Sequence, residues 1–246
     1  MMELRPFVMS LLVVSLGVSG CGHNAGSATS PPPGDPARPA ATPVVLGEGR
    51  DRTGSRSASD WASNAEFVVA VTVVGEVRGK IAQEDLEREE GMISREVVLR
   101  VDRLLWSAER GNMQAPQEIR KQAAGWVFNN NNGTGERPFA LTNASRFEVG
   151  HSYVTALDWV DDPCSEDAMK GSWAGLGAFG TIPFDSGILG LGEIEGRVQD
   201  LRGVRTDIPT LRTDVAGRSV DELAARLAVA ERKQIAPHQM ACEPED

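Results

Sequence analysis

Cysteine, histidine and tyrosine are scarce in this chain of 246 residues, which has three cysteines, three histidines and one tyrosine. A zinc site of the usual kind needs several cysteine or histidine ligands at regular spacing. Only His151 lies inside the region that we expect to fold, since His23 and His238 lie in polar segments near the two ends. The sequence therefore predicts no zinc centre and no cofactor, and it favours a half-exposed structural role for His151.

Positive charge and long apolar runs are also lacking. The chain has 25 Lys and Arg against 35 Asp and Glu, a formal net charge of -10. Nucleic-acid binding requires a concentrated basic face, so this composition argues against that class of partner. The longest uncharged apolar run, Phe7–Leu16, is shorter than the ~20 apolar residues that a membrane-spanning helix needs.

The N-terminus has the parts of a bacterial signal peptide. Arg5 precedes the apolar run, and the ending Val18-Ser19-Gly20-Cys21 resembles the lipobox, in which a small residue precedes the cysteine that is acylated. This resemblance implies cleavage before Cys21 and a diacylglycerol on its sulfur. Two acyl chains hold a soluble domain stably, which places the chain at the outer face of the bacterial cytoplasmic membrane. The alternative is a plain signal peptide in which Cys21 is incidental.

The chain divides into three predicted parts. Residues 1–20 are the lipoprotein signal peptide, residues 21–58 form a disordered tether rich in Pro, Gly and Ser, and residues 59–246 form a single β-rich globular domain. Cys164 and Cys242 remain as an even pair in a compartment where disulfides persist, which predicts a disulfide between them. Two independent thiols are the alternative.

Several segments have the patterns of strands. Phe67–Val77 is dense in β-branched residues without polar alternation, which predicts a strand buried on both faces. Further on, Val97, Leu99 and Val101 are set against the charged residues Glu96, Arg100 and Asp102, as in half-buried strands. Further strands are expected at Phe139–Leu141 and His151–Trp159. Between Val101 and Phe139, the segment Ala115–Gly125 has proline near its start and glycine at its end, which favours a short helix.

The C-terminal part has a clearer helical pattern. Ser219 and Glu222 have the spacing of a capping box. Val220, Leu223 and Leu227 then fall on one face, which predicts an amphipathic helix that docks on the sheet.

A resemblance to a known group rests on the order of three segments. These are the valine-rich strand that ends at Gly75-Glu76-Val77, the strand Val97–Val101 that runs into Arg103–Trp106, and the segment Phe147–Val154. In this order the chain resembles bacterial secreted proteins, among them actinobacterial lipoproteins, that are similar to the netrin-like or TIMP-like OB-fold group. The resemblance implies a mainly β fold, an OB-like antiparallel β-barrel, to which the C-terminal helix is added.

Metalloproteinase inhibitors of that fold act through a free N-terminal cysteine that reaches the catalytic zinc. Here the N-terminal cysteine is expected to be acylated and separated from the fold by a tether. Inhibition by the family mechanism is therefore not expected.

The region from 158 to 196 holds the candidate binding residues. Asp158, Asp161 and Asp162 belong to an acidic cluster that could hold a hard cation such as Ca²⁺, but a solvated acidic loop is the favoured explanation, since charge runs are commonly just solvated. The stretch Gly171–Gly196 is expected to be a long Gly-rich loop, partly extended near Ile188–Ile194, and long ordered loops are a common location for function. Within it, Trp173 could be exposed for carbohydrate or peptide recognition, with core packing as the alternative.

One motif in that stretch matches the glycine pattern of dinucleotide-binding sites. Gly175–Gly180 fits G-x-G-x-x-G, but Thr181-Ile182-Pro183 follows where a dinucleotide site needs a helix, so we expect a tightly turning loop.

The sequence contains no nucleophile-and-base signature such as G-x-S-x-G, and it identifies no catalytic residue. We therefore expect a binding or interaction module of the cell envelope rather than an enzyme, with an envelope protein or a glycan as partner. The alternatives are a cell-envelope hydrolase with its site in the 171–196 loop and a noncanonical protease inhibitor.

Overall fold

Ten strands and four short helices make up the part of the chain that the computed structural model describes, namely residues 43–49, 51, 53–108, 114–131, 135–161 and 171–233. The strands are β1 (Val45–Gly47), β2 (Phe67–Arg78), β3 (Glu90–Ser107), β4 (Glu118–Asn129), β5 (Gly135–Leu141), β6 (Ser152–Asp161), β7 (Gly171–Gly175), β8 (Thr181–Pro183), β9 (Leu191–Ile194) and β10 (Arg197–Asp200). The helices are α1 (Ala58–Asn64), α2 (Gln83–Arg88), α3 (Leu211–Asp214) and α4 (Val220–Ala228), with a 3₁₀ turn at Asp185–Gly187.

Eight of the strands form one sheet in the order β1-β5-β4-β3-β2-β6-β7, in which β8 also pairs with β6. All its pairs are antiparallel except β1 with β5. Strands β9 and β10 form a separate antiparallel hairpin. The fold is therefore mainly β with a C-terminal helix, as the sequence predicts.

The sheet has two free ends in the described part of the chain, so the predicted closed barrel is not seen there. Strand β7 does not pair with β4 but lies close to it. A Cβ atom added to Gly175 of β7 would lie 3.3 Å from Nζ of Lys121 on β4. The sheet is thus strongly curled but open. Strand β1 and the residues before α1 also belong to the folded part, although the sequence assigns them to the tether.

The first part of the apolar run of β2, Phe67–Val73, is buried on both faces, as predicted, whereas Val74 and Val77 are exposed. Val68 and Ala70 face a core that also holds Trp61 of α1 and the buried leucines of α4. The alternate residues Phe67, Val69 and Val71 face a second core on the other side of the sheet. Because both faces are covered by apolar groups, a continuous apolar sequence suits this strand better than an alternating one.

Helix α4 confirms its predicted capping box. The Ser219 hydroxyl accepts a hydrogen bond from the Glu222 N–H, and the Glu222 carboxylate accepts one from the Ser219 N–H, at 3.3 and 2.9 Å. Leu223 and Leu227 are buried, so the predicted apolar face docks on the core. Helix α1 has the same arrangement at Ser57 and Asp60.

The predicted helix at Ala115–Gly125 is wrong, because this segment enters β4. Burial alternates along the strand, with Ile119 buried between exposed Glu118 and Arg120. Gly125 lies against β3, where a Cβ atom would collide with the carbonyl oxygen of Ile93. This glycine therefore permits a close approach of two strands and does not end a helix.

The predicted long loop at Gly171–Gly196 is also wrong in part. Strands β7, β8 and β9 and the 3₁₀ turn occupy most of it. Strand β7 pairs with residues 157–161 of β6, and β8 pairs with residues 153–155 on the same edge. The connection 176–180 leaves the sheet between β7 and β8, so this Gly-rich loop is short and fixed at both ends, while the 3₁₀ turn and β9 follow β8 outside the eight-stranded sheet.

Candidate functional site: a groove along the 175–180 segment

Four adjoining cavities of about 530, 700, 170 and 190 Å³ lie along the connection between β7 and β8. Each shares lining residues with the next, and Ala178 lines three of them. We call this continuous depression the groove. Its 530 Å³ end is the Phe179 cavity, and its 190 Å³ end is the Lys121 cavity.

The floor of the groove is held in shape by the segment before α1. The Asp51 carboxylate accepts hydrogen bonds from the Ala178 N–H at 2.8 Å and from the Ser55 hydroxyl at 2.8 Å. Gly177 has a φ of +112°, and a Cβ atom there would collide with the Asp51 carboxylate. Glycine is required at this position for both reasons. Strand β8, not a helix, follows Gly180, so the turn lacks the geometry of a dinucleotide-binding motif.

Two arginines lie against one aromatic ring at the Phe179 cavity. The Cζ atoms of Arg56 and Arg212 are 4.9 and 5.1 Å from the centroid of the Phe179 ring. Arg56 comes from the segment before α1 and Arg212 from α3, so three separate parts of the chain build this cluster. A cation over a ring face is attracted by the ring quadrupole, but two cations at one ring also repel each other.

Arg212 is the most unusual member of the cluster because only 5% of it is exposed. Its Nη2 donates to the carbonyl oxygens of Asn143 and Ala178, both at 2.7 Å. Its Nε is buried and has no hydrogen-bond partner, and no carboxylate of the described residues forms an ion pair with it. Burial lowers the pKa of Arg212 to about 10, although the charges of Glu193 and Glu195 act in the opposite direction.

The rest of the Phe179 cavity combines apolar and polar groups. Ile194, Leu201 and Ile208 form apolar wall, and hydroxyl groups are supplied by threonines of the α3 cap. The cavity also contains two acids, Glu195 and Asp207. The Glu195 carboxylate is engaged, since it accepts a hydrogen bond from a backbone N–H at 2.6 Å.

The other end of the groove is centred on Lys121 of β4. Its Nζ lies 5.0 Å from the centroid of the Phe147 ring, and no hydrogen bond or ion pair connects this amine to another described residue. Burial lowers the pKa of Lys121 to about 8. Arg146 is the other charged residue that lines this cavity, and its guanidinium is bound to Glu148 and to two backbone carbonyl groups.

A buried polar network lies beneath the groove and is satisfied within the protein. The Glu193 carboxylate accepts hydrogen bonds from the N–H groups of Arg146 and Gly196 and from the Tyr153 hydroxyl. Burial raises the pKa of Glu193, and these hydrogen bonds act against that rise. Arg95 is fully buried and donates to the carbonyl oxygens of Ala124 and Arg146 and to the Glu76 carboxylate. We assign this network a structural role, because its donors and acceptors are paired with each other.

His151 lies outside these four cavities. Its Nδ1 is 2.6 Å from the Asp185 carboxylate, whose other oxygen accepts from the Ser152 N–H at 2.9 Å. The Ser152 hydroxyl is 3.1 Å from the Thr72 hydroxyl. The serine next to the histidine is thus hydrogen-bonded to a threonine, an arrangement that does not form a nucleophile-and-base pair.

The structure places the predicted candidate residues apart. Asp158 and Asp161 are three positions apart on β6 and so point to opposite faces of the sheet, while Asp162 lies outside the described residues. Among the described residues, no group of three or more His, Cys, Asp or Glu side chains could hold a metal ion. Cys21, Cys164 and Cys242 also lie outside the described residues.

Trp173 lies on β7 and is half-buried. Its ring packs edge-on against Trp159 with centroids 5.2 Å apart, and it lies 5.6 Å from the Phe67 ring. These contacts favour the core-packing alternative for this residue.

Four residues that line the groove were not predicted from the sequence, namely Arg56, Arg212, Phe179 and Lys121. One of them had a detectable signal, because Lys121 occupies the inward phase of the alternation that begins at Ile119. The other three come together only through long-range contacts.

No helix in the described part of the chain is both long enough and apolar enough to cross a membrane. Comparisons with protein-family models, curated proteins and solved structures found no match to this chain.

Proposed function

We propose that this chain is an extracytoplasmic binding module that takes an anionic ligand in the Phe179 cavity. The observation that carries the proposal is the Arg212 guanidinium, which is almost fully buried, and which has neither a hydrogen-bond partner at Nε nor an ion pair with a carboxylate among the described residues. Arg56, the second cation at the same ring, is exposed at the mouth of the cavity.

A buried charge without a direct ion-pair partner is costly, because the desolvation of an ion amounts to several kcal/mol in real proteins. The charges of Glu193 and Glu195 favour the charged form of Arg212, but burial outweighs them. The two carbonyl groups that accept from Arg212 solvate it only in part. An anionic ligand would compensate the charge and reduce the repulsion between the two guanidinium groups. Hydrogen bonds between arginine and carboxylate or phosphate oxygens are among the strongest in proteins.

The wall of the cavity indicates the kind of anion. Its aliphatic side chains and the Phe179 ring favour an apolar body, and the arginine end favours a carboxylate or phosphate group. A volume of about 530 Å³ falls in the range of small-molecule sites. We therefore propose a small organic anion rather than a bare inorganic ion.

The location of the module is part of the proposal. A diacylglycerol on Cys21 would anchor it at the outer face of the bacterial cytoplasmic membrane, with an envelope protein or glycan as a further partner. The relation to the netrin-like or TIMP-like OB-fold group stays a hypothesis, which rests on the order of the three sequence segments. An envelope hydrolase and a noncanonical protease inhibitor remain the alternatives. The pairing of His151 with Asp185 gives the hydrolase little support, because the neighbouring Ser152 hydroxyl is hydrogen-bonded to Thr72.

A thermal-shift experiment on the whole folded chain tests the proposal. Benzoate and phenyl phosphate serve as anionic probes, benzyl alcohol as a neutral one, and sodium chloride as an ionic-strength control. At a concentration about ten times Kd, binding stabilises the native state by about 1.4 kcal/mol, which corresponds to a rise in Tm of about 3–5 °C for a domain of this size.

The matched variants are Arg56→Gln and Arg205→Gln. Both remove an exposed arginine, but Arg205 does not line the cavity. We expect Arg56→Gln to reduce the shift caused by the anions and Arg205→Gln to preserve it. The proposal is refuted if the anions shift Tm no more than benzyl alcohol and sodium chloride do, or if the two variants respond alike.

A further inference from the structure

A second site lies at the opposite end of the groove, and its evidence is independent of the anion proposal. Lys121 is half-buried and lines the cavity of about 190 Å³ between β4 and β7. Lysine side chains are usually exposed, and those that are buried are usually paired with an acid. Lys121 has neither arrangement, since its one close partner among the described residues is the Phe147 ring.

The strand opposite leaves room beside the amine. A Cβ atom at Gly175 would lie 3.3 Å from Nζ of Lys121, so any larger residue there would crowd the amine. The cavity also contains small side chains such as Ala123 and Ala140 and the hydroxyl group of Ser145. A small molecule that enters the cavity would therefore meet the nitrogen atom directly.

We propose that Lys121 is a nucleophilic amine that captures small aldehydes or ketones as an imine. The lone pair of Nζ attacks the carbonyl carbon, and one of the two protons of the uncharged amine passes to the carbonyl oxygen to give a carbinolamine. Loss of the new hydroxyl group together with the remaining proton on nitrogen releases one water molecule and forms the C=N bond. The step consumes no oxidant or reductant, and hydrolysis reverses it.

The environment explains why this amine would react when other lysines do not. An amine attacks only in its uncharged form, and a lysine with its ordinary pKa is uncharged in roughly one molecule in a thousand at about pH 7.5. Because burial lowers the pKa of Lys121 to about 8, about a quarter of these amines are uncharged at that pH. The aromatic ring of Phe147 attracts the charged form of the amine, and burial outweighs this attraction in lowering its pKa.

The test is reductive trapping on the full folded chain. The protein is treated with trace acetaldehyde and cyanoborohydride at about pH 7.5, where ordinary lysines are almost fully protonated, and each modified lysine is quantified by peptide mass spectrometry. Exposed Lys80 and the exposed, ion-paired Lys233 are internal references. We expect Lys121 to be modified at least about fivefold faster than either, with the ratio falling as the pH approaches the ordinary lysine pKa of about 10.4.

A smaller ratio at about pH 7.5, in a sample with an intact melting transition, would overturn the proposal. Lys121→Arg keeps the cation over Phe147 and removes the reactive amine, so it is the matched variant. It should abolish the fast adduct and leave the rates at the references unchanged. A fast adduct that survives in Lys121→Arg would also overturn the assignment. Loss of anion binding would not affect this result, because the Arg212 cluster lines a different cavity.

Discussion

The Tyr153 hydroxyl offers a sharp test of the buried network beneath the groove. Tyr153 is fully buried on β6; its hydroxyl donates to the Glu193 carboxylate at 2.9 Å and accepts from the Glu148 N–H at 2.9 Å. Tyr153→Phe removes one oxygen atom and leaves the ring, which packs 4.9 Å from the Phe147 centroid. The substitution therefore isolates two hydrogen bonds from the packing around them.

The size of the effect follows from the groups left without a partner. A buried polar group that loses its hydrogen bond destabilises the native state by about 1–3 kcal/mol, with larger values for charged groups. We expect a loss of about 2 kcal/mol for Tyr153→Phe, because Glu193 keeps its bonds to the Arg146 and Gly196 N–H groups. For a domain of this size, that loss lowers Tm by about 4–8 °C.

The pH dependence gives a more specific signature. Burial raises the pKa of Glu193 in the folded state, so the native protein binds this proton more tightly than the unfolded chain does. The free energy of unfolding therefore falls as pH rises from the ordinary glutamate pKa through the raised one. The Tyr153 hydroxyl opposes the rise in pKa, so Tyr153→Phe raises it further. The variant should lose more stability at about pH 8 than at about pH 4, where Glu193 is largely protonated in both states.

Denaturant unfolding at both pH values measures this difference, and Thr155→Val is the matched control. Thr155 is fully buried on the same strand, and its hydroxyl pairs with the Thr181 hydroxyl at 3.0 Å, a neutral group. The control should lose a similar free energy at both pH values. An equal loss at the two pH values for Tyr153→Phe, or no loss at all, would refute this account of the network.

Other substitutions test the groove and the predicted anchor. Gly177→Ala should destabilise the protein by more than about 1 kcal/mol and weaken anion binding, because it combines a positive φ with a steric clash. Gly203→Ala is the control, since it changes a positive φ in open space. Equal losses of Tm in the two variants would contradict the proposed clash. Cys21→Ser should move the chain from the detergent phase to the aqueous phase in a host that processes lipoproteins, and a variant that stays in detergent after cleavage would rule out the lipid. Intact mass with and without reductant should reveal a bond between Cys164 and Cys242, and two free thiols would end that prediction.

Local patterns predicted the parts of the fold that depend on local physics. The run that begins at Phe67 was identified as a strand because its composition suits burial on both faces, and the structure confirms it. The capping box of Ser219 and Glu222 similarly located the start of α4. In both cases the information lies within a few consecutive residues.

The errors arose where distant contacts decide the structure. The segment before Gly125 has the proline and glycine of a short helix, but pairing with β3 outweighs that preference. The same error prevented the prediction of the Lys121 site. In a strand, whose side chains repeat every two residues, Lys121 falls on the inner face with Ile119, whereas the 3.6-residue repeat of a helix does not place it there.

The Phe179 cavity could not be predicted from the sequence for a related reason. Arg56 lies in a segment that the sequence assigned to the tether, and Arg212 lies more than 150 residues further along the chain. Nothing in either neighbourhood indicates that the two guanidinium groups share a ring. Only the folded sheet brings them to Phe179.

The attachment of β7 and β8 to one edge of β6 bears on how this surface could diversify. Residues 176–180 leave that edge and return to it, and each flanking strand keeps its own pairing with β6. A substitution at Ala178 or Phe179 would therefore reshape the groove without shifting the register of either strand, whereas Leu176 is buried in the core and Gly177 is required for the turn. Related chains could differ in ligand at this one short segment while the rest of the sheet stays the same, and a library confined to it would be a practical starting point for redesign.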